Sequence, residues 1–371
     1  VKPAKAEKHI KISSGKATME NDLYRMVFDL KRGGILTSLF DKKQGREMVD
    51  RKNAFGFCEL RGFFESDNRF RSSTESSATA EIVKDNAFVQ SLHIKGTIAG
   101  VPFAQTFTIK KDEPLIDVQL EIDWKRNIHI GNHKKREKDD PTVPFYNTKY
   151  ALNVLIPTAL KEPKLWKDAP FDVCESHLDS TFFDRWTDIR HNIILSWVDV
   201  ADEESGLALL SDHTTSYSFA HDFPLALTAQ YSGGGLWGRD HKITGKTQHH
   251  YALVPHRGHW DEAGICDISE VWNRPVLQVS CEQESRSLLS LEGTGYQLSS
   301  LAVDADGSVL LRLFNADGDE KAHDIQLDFP VVSVTEVDLQ GKEMARPRFE
   351  NNRLSVQMPR FGIRTYRISV R

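Results

Sequence analysis

Alternation with a period of two restricts this chain more than any other feature. Phe103-Ala104-Gln105-Thr106-Phe107-Thr108-Ile109 alternates apolar with smaller or polar side chains, and the rhythm recurs at residues 81–83, 88–94 and 115–122. Successive side chains of an extended strand point to opposite faces, so each segment gains one face suited to a core. Lys84-Asp85-Asn86, Ala99-Gly100-Val101-Pro102 and Lys111-Asp112-Glu113-Pro114 separate these segments with turn-forming residues. Upstream, residues 23–30 and 35–40 flank Lys31-Arg32-Gly33-Gly34, which predicts two strands joined by a glycine turn. No long amphipathic helical pattern competes. The chain is therefore expected to be all-β, with large antiparallel sheets packed face to face.

The rhythm is interrupted near residues 288–300, where Gly293-Thr294-Gly295 and several serines occur, and resumes at residues 309–314, 322–327, 331–337 and 365–370. Asp306-Gly307 and Asp317-Gly318 supply tight turns. This organisation predicts a large β domain over residues 1–290 and a small β-sandwich over residues 291–371.

Composition narrows the partners. With 48 Lys+Arg against 53 Asp+Glu and a net charge of -5, the chain has no overall basic field for nucleic acid, and none is expected as a partner. The mixed-charge run from His133 to Asp140 reads as a solvated loop. No apolar run reaches the roughly twenty residues of a membrane-spanning helix, so no membrane partner is expected. Cys58, Cys174, Cys266 and Cys281 lack the spacing of a zinc knuckle and are expected as free thiols. Val1 opens the numbering in place of an initiator Met, which suggests a fragment or a processed product, and localisation is left open.

No nucleophile elbow, P-loop, dinucleotide fingerprint or H-E-x-x-H motif occurs. His241, His249, His250, His256 and His259 crowd one region, but adjacent His249 and His250 fall on opposite faces of a strand, and no intrinsic metal site is expected. Asp179, Asp184, Asp188 and Asp199 flank Trp186 and Trp197, a composition compatible with sugar contact; the tryptophans are read as core anchors. The loop Ser232-Gly233-Gly234-Gly235-Leu236-Trp237-Gly238-Arg239-Asp240-His241 is a candidate binding loop, and the family resemblance set out below implies that Arg239 and Asp240 are its substrate-binding residues. Loops on a rigid sheet are where binding residues concentrate, and Arg can grip hydroxyls or a carboxylate in bidentate fashion. No catalytic residue is assigned.

Three separated stretches resemble the C-terminal region of the glycoside hydrolase family 38 α-mannosidases. They are Met19-Glu20-Asn21-Asp22-Leu23-Tyr24-Arg25 with residues 33–47; Trp197-Val198-Asp199-Val200 with residues 206–212 and 217–218; and Tyr251-Ala252-Leu253-Val254-Pro255-His256 with Gly258-His259-Trp260, extended through Trp272-Asn273-Arg274-Pro275. The resemblance implies a galactose-mutarotase-like β-supersandwich followed by smaller β modules. It also implies a preceding α/β catalytic domain with zinc on His and Asp side chains and an Asp nucleophile, of which this chain has no counterpart. The parent would be a retaining α-mannosidase, and the chain alone, without zinc, inactive. Its expected partners are its own catalytic domain and, through the full-length protein, an α-mannoside. An exposed apolar docking face would favour homo-oligomers. Two readings from other classes compete: an aldose mutarotase, which would share the sandwich and use a His and a carboxylate as acid and base, and a stand-alone carbohydrate-binding or purely structural module.

Overall fold

The protein's structure, a computed structural model, describes residues 8–131, 147–183, 185, 192–234, 240–274, 276–277, 280 and 286–371. They form two compact units, one of Val1–Asp168 with Glu175–His259, the other of Ala169–Cys174 with Trp260–Arg371. The division at His259/Trp260 precedes the 290/291 boundary read from the sequence. The stretch around residues 288–300, read as an interruption, contains the strands Leu289–Leu291 and Tyr296–Val303. Glycines and serines there mask a weak alternation; Leu289–Leu291 pairs with the distant Ala322–Leu327, and Tyr296–Val303 with Val309–Asn315 just downstream.

The first unit is built on two opposed antiparallel sheets. From Lys164–Ala169 the larger runs through Trp197–Ala201, Ser205–Ser211, Gly245–Arg257, Ile116–Trp124, Val101–Lys110, Val89–Ile98 and Thr79–Asp85. The six-stranded sheet has the order Ile193–Ile194, Thr215–Ala220, Phe223–Gln230, Leu152–Ile156, Glu59–Phe64, Arg69–Ser72. The expected meander is present in register: Phe103 faces Ile122, Phe107 faces Val118, and Ile109 faces Ile116. Their apolar faces share one core with Leu60, Phe64, Leu152, Val154 and Leu227 of the six-stranded sheet. Each such side chain removed from water contributes roughly 1.5–3 kcal/mol before the entropy of ordering is set against it.

An N-terminal five-stranded sheet, from Ile10–Ser13 to Arg46–Glu47, sends Ala17, Met19, Met26 and Phe28 into the same core. Its strands Tyr24–Asp29 and Ile35–Asp41 are joined as expected through a glycine turn, where Gly33 and Gly34 hold φ of 65° and 77°. Such values favour glycine because a Cβ would clash with the backbone.

The second unit is a sandwich of a four-stranded and a five-stranded sheet around Leu311, Leu313, Ile325, Leu327, Leu354, Val356 and Ile368. The Tyr296 hydroxyl donates to the Lys321 carbonyl (2.8 Å) and accepts from the Met358 N–H (3.0 Å). Ile265–Asn273 is the one α-helix among the described residues. Thus the fold is all-β, a large antiparallel sandwich followed by a small one, as the alternation required.

Trp197–Ala201 and Ser205–Ser211 are buried at every position, hence on both faces. Inward go Val198, Val200, Leu207 and Leu209; the opposite face carries Asp199 beside His256, with Asp199 Oδ1 2.9 Å from His256 Nε2. Their side chains are 0% and 5% exposed. Gly206 lies opposite His256 in register, and a Cβ there would come within 2.3 Å of the imidazole. Burial, the largest single influence on His256, pushes its pKa down, but the charge and hydrogen bond of Asp199, with backbone groups of Arg257 and Gly258, raise it above the ordinary value. The raised pKa favours the protonated imidazole, and with it an ion pair with Asp199.

Replacing one partner leaves the other charge uncompensated, which costs on the order of 3–5 kcal/mol. Asp199→Ala should destabilise the first unit by about that much in urea unfolding. Because the folded pKa of His256 is raised, its contribution is complete below its unfolded value and is lost as pH rises through the folded one. The gap between parent and variant should accordingly narrow with rising pH; a constant gap between pH 6 and 9 would contradict an ionic pair. Gly206→Ala should also destabilise the unit, by roughly 1–3 kcal/mol.

Candidate functional site

The core takes Leu60, Phe64, Leu152, Val154, Leu225 and Leu227, so the alternate residues of these strands lie on the outer face of the six-stranded sheet. Strand register sets Ser72, Arg61, Asn153 and Thr228 in one row across four strands. The Arg61 guanidinium carbon lies 4.0 Å from the centre of the Phe70 ring and 5.3 Å from that of Phe55. Phe70 stacks on Tyr150 at 5.5 Å, and Phe63 meets both edge-on. These rings fix the guanidinium plane, and no described residue accepts a hydrogen bond from it. Burial pushes the Arg61 pKa down, while Glu59 pulls the other way. The Glu59 oxygens are already engaged, by the Gly56 N–H and the Ser72 hydroxyl, each at 2.6 Å. The result is an oriented, half-buried cation with donors to spare.

A buried polar network continues along this face. Thr148 Oγ1 and Ser218 Oγ are 2.7 Å apart, and Asn153 Nδ2 donates to the carbonyls of Thr148 (2.9 Å) and Ala151 (3.0 Å). Asn192 Nδ2 donates to the Tyr217 carbonyl, and Asn147 Nδ2 to that of Phe183 (3.0 Å). Full satisfaction matters here because a buried amide without partners costs several times what its hydrogen bond gains. At the foot of the glycine-rich loop, Ser232 and Ile130 exchange backbone hydrogen bonds of 3.1 and 3.2 Å. Close by in sequence, the His129 ring lies 2.8 Å from Glu65 and the Gly131 N–H donates to the Phe63 carbonyl. Residues bracketing 132–146, 186–191 and 235–239 are therefore tied to one sheet.

Of the expected site residues, Arg239 lies outside the described residues; Asp240 opens a short strand, paired with Gly234, and its side chain is outside the description. Asp184, Trp186 and Asp188 also lie outside it. Trp197 is a core anchor as expected, and Asp199 is sealed with His256. Cys58 and Cys174 are free thiols, whereas Cys281 is outside the description. Alternation separates the adjacent histidines: His249 pairs with inward-facing Leu120, whereas His250 Nε2 reaches Asp117 at 2.7 Å. Among the described residues no three His, Cys, Asp or Glu side chains are grouped to hold a metal. Arg61, Tyr150, Asn153 and the His129–Glu65 pair were not foreseen. The run Arg61-Gly62-Phe63-Phe64 carried the only local hint, a cation among aromatics.

Comparison with known proteins fits this architecture. Residues 19–228 match the glycosyl hydrolases family 38 C-terminal domain. The chain belongs to glycosyl hydrolase family 38. Residues 295–366 match the family's C-terminal beta sandwich domain. The segment from Tyr251 to Pro275 that carried the third resemblance falls between the two matched spans. An α-mannosidase from Enterococcus faecalis V583 superposes with a TM-score of 0.70 over 99% of this chain and 43% of its own, at 14% identity. A glycosyl hydrolase family 38 protein from Enterococcus faecalis gives the same TM-score and identity over 99% of this chain and 45% of its own. The chain thus spans less than half the length of these two structures, and the likeness shows a shared fold. Comparison with curated protein sequences returns no match.

One titration is readable in the histidine cluster. His249 Nε2 is buried without a described partner; burial first, then the nearby His213, lowers its pKa to about 4. A depressed histidine contributes stability above its unfolded value, near 6.5, that is lost as pH falls toward 4. His249→Gln should flatten the stability profile of the first unit across that window, measured by urea midpoints at half-unit steps. An unchanged profile would place the acid sensitivity elsewhere.

Proposed function

We propose that this chain is the non-catalytic β portion of a retaining α-mannosidase, packing on a zinc-binding catalytic domain outside these residues and helping to shape its sugar cleft. Membership of family 38, together with a span of less than half the matched α-mannosidase, carries the reading. The outer face of the six-stranded sheet is the surface best suited to the role. It offers an oriented guanidinium, aromatic edges and a fixed polar network, and it anchors the residues on either side of Arg239 and Asp240.

The chemistry of such a contribution is positional. A retaining glycosidase needs two carboxyl groups about 5 to 5.5 Å apart and a substrate held against them. Groups locked by packing on a sheet hold hydroxyls without the entropy loss of ordering mobile side chains during reaction. Arg61, Arg239 and Asp240 would serve as such positioning groups. The buried His256–Asp199 pair is too enclosed for the acid–base role a mutarotase would require.

Hydrolysis of an aryl α-mannoside by this chain and by the full-length gene product, each with and without zinc, tests the reading. Turnover is expected only from the longer protein, and turnover by the 371 residues alone would overturn it. In the longer protein, Arg61→Leu should lower kcat/KM by about tenfold, corresponding to about 1.4 kcal/mol. The unfolding midpoint should hold steady, since Arg61 donates no hydrogen bond to a described residue.

A further inference from the structure

A second cationic feature lies on the N-terminal five-stranded sheet, and Phe55, which packs on Arg61, reaches it as well. Ala17, Met19, Met26 and Phe28 point into the core, so Lys16 and Arg25 project from the opposite side of their strands. There they line a cleft of about 630 Å³, together with Arg32, Arg51 and one carboxylate, Asp50. That volume lies in the range of small-molecule sites, roughly 300–1,000 Å³.

The charges in this cleft are unevenly committed. Arg51 is held by Glu47 at 2.6 Å and by the Thr37 carbonyl at 3.0 Å, and so forms part of the wall. Asp50 Oδ1 accepts from the Lys52 N–H, which turns one carboxylate oxygen back into its own loop. Lys16 and Arg25 stand opposite Asp29 and Glu20 in register, but Asp29 accepts from the Lys31 N–H and Glu20 holds Lys42, and no described carboxylate forms an ion pair with Lys16, Arg25 or Arg32. Arg25 is oriented by the Phe40 ring, 5.2 Å from its guanidinium carbon, which leaves its donor edge open. Three uncommitted cations at one cleft stand out in a chain of net charge -5. Val27, Ile35 and Phe55 add apolar lining.

We propose that this cleft binds the phosphate monoester of a small organic molecule, Lys16, Arg25 and Arg32 gripping the phosphate while Val27, Ile35 and Phe55 receive the body of the ligand. Arg meets a tetrahedral oxyanion through paired N–H donors, Lys acts as a mobile point charge, and together they offset a charge near -2. An ester is favoured over the free ion because the lining is amphipathic: inorganic phosphate would leave the apolar part in water. The residues that line the cleft all belong to this chain, so its test uses this chain as it stands.

Isothermal titration at low ionic strength with phenyl phosphate, inorganic phosphate and phenol is the direct test. Phenyl phosphate should bind saturably, with a dissociation constant on the order of 1 mM, inorganic phosphate more weakly, and phenol not at all. Arg25→Gln/Arg32→Gln should weaken phenyl phosphate about tenfold. Arg346→Gln, on the exposed surface of the second unit, should leave it unchanged. Circular dichroism of the double variant confirms that a loss reflects the site and not the fold. Absence of saturable binding, equal affinity of parent and double variant, or equal weakening by Arg346→Gln overturns the proposal. Inorganic phosphate binding as tightly as the ester would overturn the role given to the apolar lining.

Discussion

Because Phe103, Phe107 and Ile109 of one sheet share an apolar layer with Leu60, Leu152 and Leu227 of the other, the direction of every neighbouring side chain in these strands is set. A slip of one residue would turn the whole set outward, so the packing of this layer fixes register across both sheets. Register in turn sets the row of Ser72, Arg61, Asn153 and Thr228 on the outer face. None of those four is adjacent to another in sequence. Their proximity is a consequence of core packing, and a substitution inside the layer can disturb the face without touching it.

Burial of strands on both faces imposes a second condition. Where Trp197–Ala201 and Ser205–Ser211 are covered on each side, the face away from the main core holds Trp197 and Leu210, the small residues Ala201, Gly206 and Ala208, and the His256–Asp199 pair. A buried ion pair is weak as a source of stability compared with apolar residues of the same shape, yet breaking it is costly. This asymmetry makes His256 and Asp199 hard to replace singly, and the space beside the imidazole is preserved by the absence of a Cβ at Gly206. The Tyr-Ala-Leu-x-Pro-His segment is therefore informative about architecture: Tyr251 and Leu253 fill the core, and His256 closes a charge pair across three strands.

Alternation made the meander legible because hairpins place sequence neighbours beside one another. The expected residues 331–337 and 322–327 coincide with the strands Val331–Val337 and Ala322–Leu327. Within residues 288–300 the hairpin strand Tyr296–Val303, beside Val309–Asn315, is hidden by its serines, and Leu289–Leu291 escapes local pattern because its partner, Ala322–Leu327, lies far along the chain. The outer face of the six-stranded sheet was illegible for the same reason. Arg61 becomes distinctive only when Phe55, Phe70 and Asn153 surround it, and those contacts arise from three separate segments. The histidine-rich stretch illustrates the converse: local spacing alone was enough to separate His249 from His250.

Two groups of cations on the first unit behave differently because their surroundings differ. Arg61 is half-buried between rings, where its lowered pKa records the cost of removing charge from water, and an acceptor reaching it would recover hydrogen bonds that burial has taken away. Lys16, Arg25 and Arg32 stay exposed, so each is well hydrated and a ligand must displace that water to bind. The first arrangement favours a fixed, geometrically selective contact; the second favours attraction at longer range that salt weakens. A chain built this way can separate the precise positioning of one partner from the capture of another, using two sheets whose outer faces are set by the same core.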